Sequence, residues 1–172
     1  MDFRHSDPPA EHGGLPVTTK ILIAGGFGAG KTTTTVAMDF GRISFRSDLV
    51  LYLFGTPGQE RFWFMWDELA YGALGAVVLA DTRRLADCFA AIDYFEQHGT
   101  PFVVAVNCFD QAPRYAPDDV RIALRLDPGV PVVLCDARER ESVKRVLMVL
   151  VRLVLDLALV QPERVEAARP AR

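Results

Sequence analysis

The sequence is short of the features that mark several large classes of protein. It has three cysteines, Cys88, Cys108 and Cys135, and no two of them form a CxxC pair. Its three histidines, His5, His12 and His98, cluster with none of them. A disulfide framework and a zinc site are therefore not expected, and the pattern fits a reducing, cytosolic setting. It also lacks a basic excess. The 19 Lys and Arg stand against 22 Asp and Glu, a formal net charge of −3, so nucleic acid is not favoured as a partner. Long apolar runs are missing too: the longest, "VLMVLVRLVLDLALV" (146–160), is interrupted by Arg152 and Asp156 and is short for a membrane span. The opening "MDFRHSDPPAEHGGLP" holds no apolar signal core. No lipidation cysteine stands at the C-terminus, so membrane recruitment is expected only through a partner.

What is present is an alternation of apolar runs and amphipathic segments between two polar tails, 1–17 and 162–172, which leaves one domain over 18–161. "TKILIAGG" (19–26) predicts a buried strand. "TVAMDFGRISF" (35–45) and "DLVLYLFG" (48–55) predict an antiparallel hairpin turning at Arg46–Ser47. Continuous apolar runs at 73–81, 101–107 and 130–137 predict three further strands. Helical spacing predicts helices over 84–99, 116–126 and 139–160, and the aromatic-rich "ERFWFMWDELAYG" (60–72) reads as a loop entering a short helix. The first of these helices places Leu85, Cys88, Phe89, Ile92 and Phe95 on one face, with Gly99 to cap it. Strands that are apolar throughout imply a six-stranded, mostly parallel α/β sheet with helices on both faces. In such sheets ligands sit beyond the carboxyl ends of the strands.

The segments that follow the strands carry the chemistry. "GGFGAGKT" (25–32) fits G-x-x-x-x-G-K-[ST]. Gly25, Gly28, Ala29 and Gly30 would turn backbone N–H groups onto phosphate oxygens, Lys31 would reach the β/γ phosphates, and the Thr32 hydroxyl would ligate Mg²⁺. The bland alternative is a glycine-rich turn. "GTPGQERF" (55–62) offers the Gly58 N–H to a γ-phosphate and Gln59 to orient an attacking water. By itself a Pro-Gly turn before a helix explains it better. In "NCFD" (107–110), Asp110 is placed to accept two N–H donors from guanine, and Asn107 to tie this loop to the phosphate loop. Alone, an Asn/Asp turn explains it better. In "CDA" (135–137), the backbone N–H groups of Asp136 and Ala137 would meet the guanine oxygen.

The four segments in this order, each at a strand end, resemble those of a Ras-like small GTPase of the P-loop NTPase class, over about residues 19–160. Two stretches, 49–89 and "FVVAVNCFD" (102–110), are similar to the conservon-encoded ATP/GTP-binding proteins of actinobacteria. The resemblance implies a GTP-binding regulatory switch that hydrolyses GTP to GDP, with Mg²⁺ held by Thr32 and Thr35 and Gln59 as the catalytic residue. It also implies roadblock-type and sensor-kinase-like protein partners.

The sequence departs from the small-GTPase pattern at three points. Gly55 stands where an aspartate usually holds Mg²⁺ through water, and Cys108 stands where a lysine usually follows the asparagine. The third departure is larger. Thr35 matches the threonine that ends the first switch, and only Thr33 and Thr34 separate it from Thr32. The first helix and nearly all of the first switch are therefore expected to be absent. Three residues span up to about 10 Å and two strand spacings come to about 9.6 Å, so the sheet can still close. Without the helix end that favours anions, GTP binding is expected to be weak or absent, and an apolar sheet face to be uncovered. A second reading follows: an interaction module that does not hydrolyse nucleotide and binds partners through "RFWFMW" (61–66). For those aromatics, core packing is the equal alternative.

Overall fold

The computed structural model describes residues 17–25, 39–45, 49–57, 64–108 and 112–160. Six strands form one sheet in the order β2-β3-β1-β4-β5-β6. They are β1 (Val17–Gly25), β2 (Asp39–Phe45), β3 (Leu49–Gly55), β4 (Ala73–Ala80), β5 (Phe102–Asn107) and β6 (Val132–Cys135). Among the described residues four α-helices accompany them: α1 (Trp66–Ala70), α2 (Phe89–Gln97), α3 (Pro117–Ala123) and α4 (Arg140–Val160). Only the β2–β3 pair is antiparallel, with Ile43 opposite Leu51 and Gly41 opposite Leu53. The other pairs are parallel.

The central strands are apolar because both of their faces are covered. β5 is buried along its whole length, and Ile21, Leu22, Ala24, Val78 and Val104 are fully buried. On one face α1, α2 and α3 close a core around Trp66, Ile92, Phe95 and Val120. Trp66 meets Tyr94 edge-on at 5.1 Å and stacks on Phe95 at 6.1 Å, geometries that aromatic quadrupoles favour. On the other face α4 packs Val146, Leu147, Leu150 and Val154 against the sheet.

The expected elements are present, with shifted ends. The segment expected as one helix over 84–99 opens with a 3₁₀ turn at Leu85–Cys88 before α2, and Gly99, with φ of 61°, follows its end. α3 stops earlier than 126 because Arg125 takes a left-handed φ of 54°, which no helix continues. The β6 ladder covers only 132–135 of the expected 130–137. Residues 26–38, where the phosphate loop was expected to join the second strand without a helix, lie outside the described residues.

Candidate functional site

The parallel strands bring their carboxyl ends to one rim. Gly25, Gly55, Ala80, Asn107 and Cys135 are the last residues of β1, β3, β4, β5 and β6. β1 lies between β3 and β4, so the chain moves to opposite sides of it, and its carboxyl end is the topological switch point where an α/β sheet opens a crevice.

Gly25 sits at that point under a tight constraint. Its φ is 139°, and a Cβ there would lie 2.4 Å from the Leu79 carbonyl oxygen. Only glycine allows β1 to pass so close to β4 at this φ. At β3, the Thr56 N–H donates to the Ile23 carbonyl at 2.8 Å, and its hydroxyl donates to the same oxygen at 3.4 Å. Thr56 is buried and pins the segment leading to Gly58 against β1. Further on, the Trp66 indole N–H donates to the Pro57 carbonyl at 3.2 Å, tying that same segment to the core.

The β5 and β6 ends are clamped together. Asn107 is buried, and its Oδ1 accepts the Ala137 N–H at 3.0 Å. The Cys108 N–H donates to the Cys135 carbonyl at 2.7 Å. Ser142, buried at the start of α4, accepts the Asp136 N–H at 2.9 Å. The Asp136 carboxylate forks onto Arg138, with its closest contact at 2.7 Å. That hydrogen bond to Arg138 holds the Asp136 carboxyl well below the usual range, at about 2. At the β4 end, Asp81 is buried and receives the Arg83 side chain at 2.6 Å, and this bond lowers its pKa.

Of the residues singled out in the sequence, the structure brings Gly25, Asn107, Asp136 and Ala137 to the one rim. Gly28, Ala29, Gly30, Lys31, Thr32, Thr35, Gly58, Gln59 and Asp110 lie outside the described residues. The backbone N–H groups expected to face a guanine oxygen already have partners: Asp136 gives its proton to Ser142, and Ala137 to Asn107. Sequence reasoning missed Thr56, Asp81 and Ser142. Thr56 and Asp81 each stand one residue beyond a strand, a placement that marks them. Ser142 carries no local signal.

The donor set can be weighed against the implied groups. Gly25 at a switch point, opening a glycine-rich stretch of sequence, suits a phosphate ligand. For Mg²⁺ the described residues do not suffice. Gly55 offers no side chain, the Asp81 carboxylate is engaged by Arg83, and no group of three His, Cys, Asp or Glu side chains among the described residues could hold a metal ion. Nor is any described helix long and apolar enough to cross a membrane.

Sheet order, connections and rim together define an α/β fold of the small-GTPase-like P-loop class. The chain is similar in structure to the nucleotide-analogue (GppNp)-bound Arl6 BBS3 small GTPase from Trypanosoma brucei. The TM-score is 0.68 at 15% identity, over 81% of this chain and 99% of that one. Residues 26–156 match the model of a family described as conserved hypothetical ATP binding proteins, and the chain belongs to that family. No curated protein matches it.

Proposed function

We propose that this chain is a nucleotide-binding regulatory protein whose ligand is a guanine nucleotide, held beyond the rim formed by β1, β3, β5 and β6. The observation that carries the reading is Gly25. A glycine forced by 2.4 Å proximity to the Leu79 carbonyl opens a G-x-x-x-x-G-K-T segment at the switch point of a parallel sheet. In this reading Lys31 and Thr32 hold the phosphates, Thr35 and Gly58 sense the γ-phosphate, and Gln59 orients water for slow hydrolysis to GDP. Mg²⁺ would neutralise phosphate charge beside Thr32 and Thr35. With the Asp136 and Ala137 N–H groups committed within the protein, discrimination of guanine falls on Asp110. The family description speaks of ATP, so the base is the property to test.

Titration with mant-GTP and mant-ATP does so. Binding is expected to be weaker than micromolar, to favour mant-GTP, to disappear in Lys31→Ala, and to shift toward xanthine nucleotide in Asp110→Asn. Tighter binding of mant-ATP, unmoved by Asp110→Asn, would make this an ATP site.

A second reading, a non-hydrolysing interaction module, is favoured by one observation: the aromatic segment is divided. Trp66 is core, whereas Phe64 is 76% exposed. On the sheet, Phe40 stacks on Tyr52 at 5.7 Å and meets Phe54 edge-on at 5.2 Å while remaining 61% exposed. Such a surface suits a protein partner, of roadblock or sensor-kinase-like type by the resemblance, met in the cytoplasm or at a membrane to which that partner recruits the chain. Undiminished partner binding by the Lys31→Ala protein would favour this reading over the switch.

A further inference from the structure

Cations converge at one concave place in the fold. A cavity of about 550 Å³ lies between β2 and the segment that runs from the end of β6 into α4. Arg42 and Ser44 line it from β2, and Arg138, Arg140 and Lys144 line it from the α4 side. The remaining described lining is aliphatic, and no described Asp or Glu takes part in it.

The charge of this lining is only half balanced. Arg138 pairs with Asp136 at 2.7 Å, and Lys144 with Glu141 at 2.6 Å. Arg42 and Arg140 make no ion pair among the described residues. Arg140 is the first residue of α4, where a cation opposes the helix dipole. Like charges brought together from two elements also repel. Neither placement helps the chain to fold, and both occur on a protein whose formal net charge is −3. Such breaches of local rules concentrate at functional sites.

We propose that this cavity binds a small ligand that carries two or more phosphate groups. Two uncompensated cations, Arg42 and Arg140, call for at least two negative charges. Three of the four cations are arginines, whose planar fork matches phosphate oxygens, and the Ser44 hydroxyl adds a donor. A volume in the small-molecule range favours such a ligand over a nucleic acid, which needs a basic stripe along the surface. A soluble polyphosphate and a phosphorylated lipid headgroup offer the same chemistry, and the test separates them. The inference does not rest on the nucleotide reading, since none of these cations belongs to the G-x-x-x-x-G-K-T segment.

The test uses the full chain and inorganic tripolyphosphate, followed by isothermal titration calorimetry at about 0.15 M ionic strength, where exposed charges are screened. It is run on the Lys31→Ala chain, so that the phosphate loop of the nucleotide reading does not contribute. Saturable binding is expected there. Adding Arg42→Gln and Arg140→Gln should weaken it at least about tenfold, because two charged donors are lost. Thermal melts establish that each variant is folded; if the paired substitution is not, Lys144→Gln, expected to weaken binding severalfold, carries the test. Co-sedimentation with phosphatidylcholine vesicles containing phosphatidylinositol bisphosphate, lost on the same substitutions, assigns the phosphates to a lipid. Tripolyphosphate binding without co-sedimentation assigns them to a soluble compound. The proposal is overturned if Lys31→Ala by itself abolishes binding, which would place the phosphates at the strand-end rim, or if the arginine substitutions leave affinity unchanged. Equal affinity for a polyglutamate peptide or a single-stranded oligonucleotide would reduce the cavity to a general anion surface, and that too overturns it.

Discussion

The side-chain oxygen of Asn107 accepts the backbone N–H of Ala137 at 3.0 Å, across 30 residues of sequence. Together with the Cys108 N–H bond to the Cys135 carbonyl, this bond fixes the loop after β6 against the loop after β5, the two segments that the nucleotide reading assigns to the base. Asn107 is 3% exposed, and the bond that it makes is partly buried. Asn107→Ala is expected to strand the Ala137 N–H and cost about 1–3 kcal/mol. Urea unfolding checks the value.

Gly25→Ala places a methyl group against the Leu79 carbonyl at 2.4 Å, at a φ of 139°. The strain is expected to destabilise the chain by about 1–3 kcal/mol and to weaken nucleotide binding further. Gly41→Ala is the control: its Cβ would meet the Leu53 Cβ at an ordinary 3.6 Å, and the expected change is within about 0.5 kcal/mol. Similar losses for the two variants would remove the special constraint assigned to Gly25.

Trp66 combines a packing role and a tether, and two substitutions separate them. Trp66→Phe removes the indole N–H that reaches the Pro57 carbonyl but keeps a ring between Tyr94 and Phe95; about 0.5–1.5 kcal/mol is expected. Trp66→Ala empties the core position and should cost about 3–5 kcal/mol. Thermal unfolding followed by far-UV circular dichroism reads both, since substitution removes the Trp66 fluorescence itself.

Asp136 supplies a pH dependence. Its folded-state pKa is depressed to about 2 by the Arg138 hydrogen bond, below the usual value of about 4. A depressed carboxyl adds stability that is fully present above the usual value and is lost as pH falls toward the depressed one. The urea midpoint should therefore fall between about pH 4 and pH 2, and Asp136→Asn should make that fall shallower. Parallel curves for the two proteins would show that Arg138 does not stabilise the Asp136 carboxylate.

The sequence by itself determined the order and kind of the elements. Runs such as "FVVAV", which opens β5, are apolar at every position, as in a strand covered on both faces. Periodicity in "RESVKRVLMVLVRLVLDLALV" marked which side of α4 is buried. The strand-end positions of Asn107 and Asp136 were legible for the same reason, because each apolar run ends where the polar residues begin, whereas residues 26–32 of the phosphate-loop pattern lie outside the described residues. The ends of α3 and β6 were not legible, because the left-handed Arg125 carries no glycine or proline signal.

Only the tertiary structure decided which strand-end polar groups already have partners. Ser142 reaches Asp136, and Asn107 reaches Ala137, through folding that places α4 behind β6, and no local pattern encodes a bond across 30 residues. The same holds for "RFWFMW". Composition alone leaves core and surface equal, and the packing of α1 against α2 buries Trp66 while leaving Phe64 in solvent.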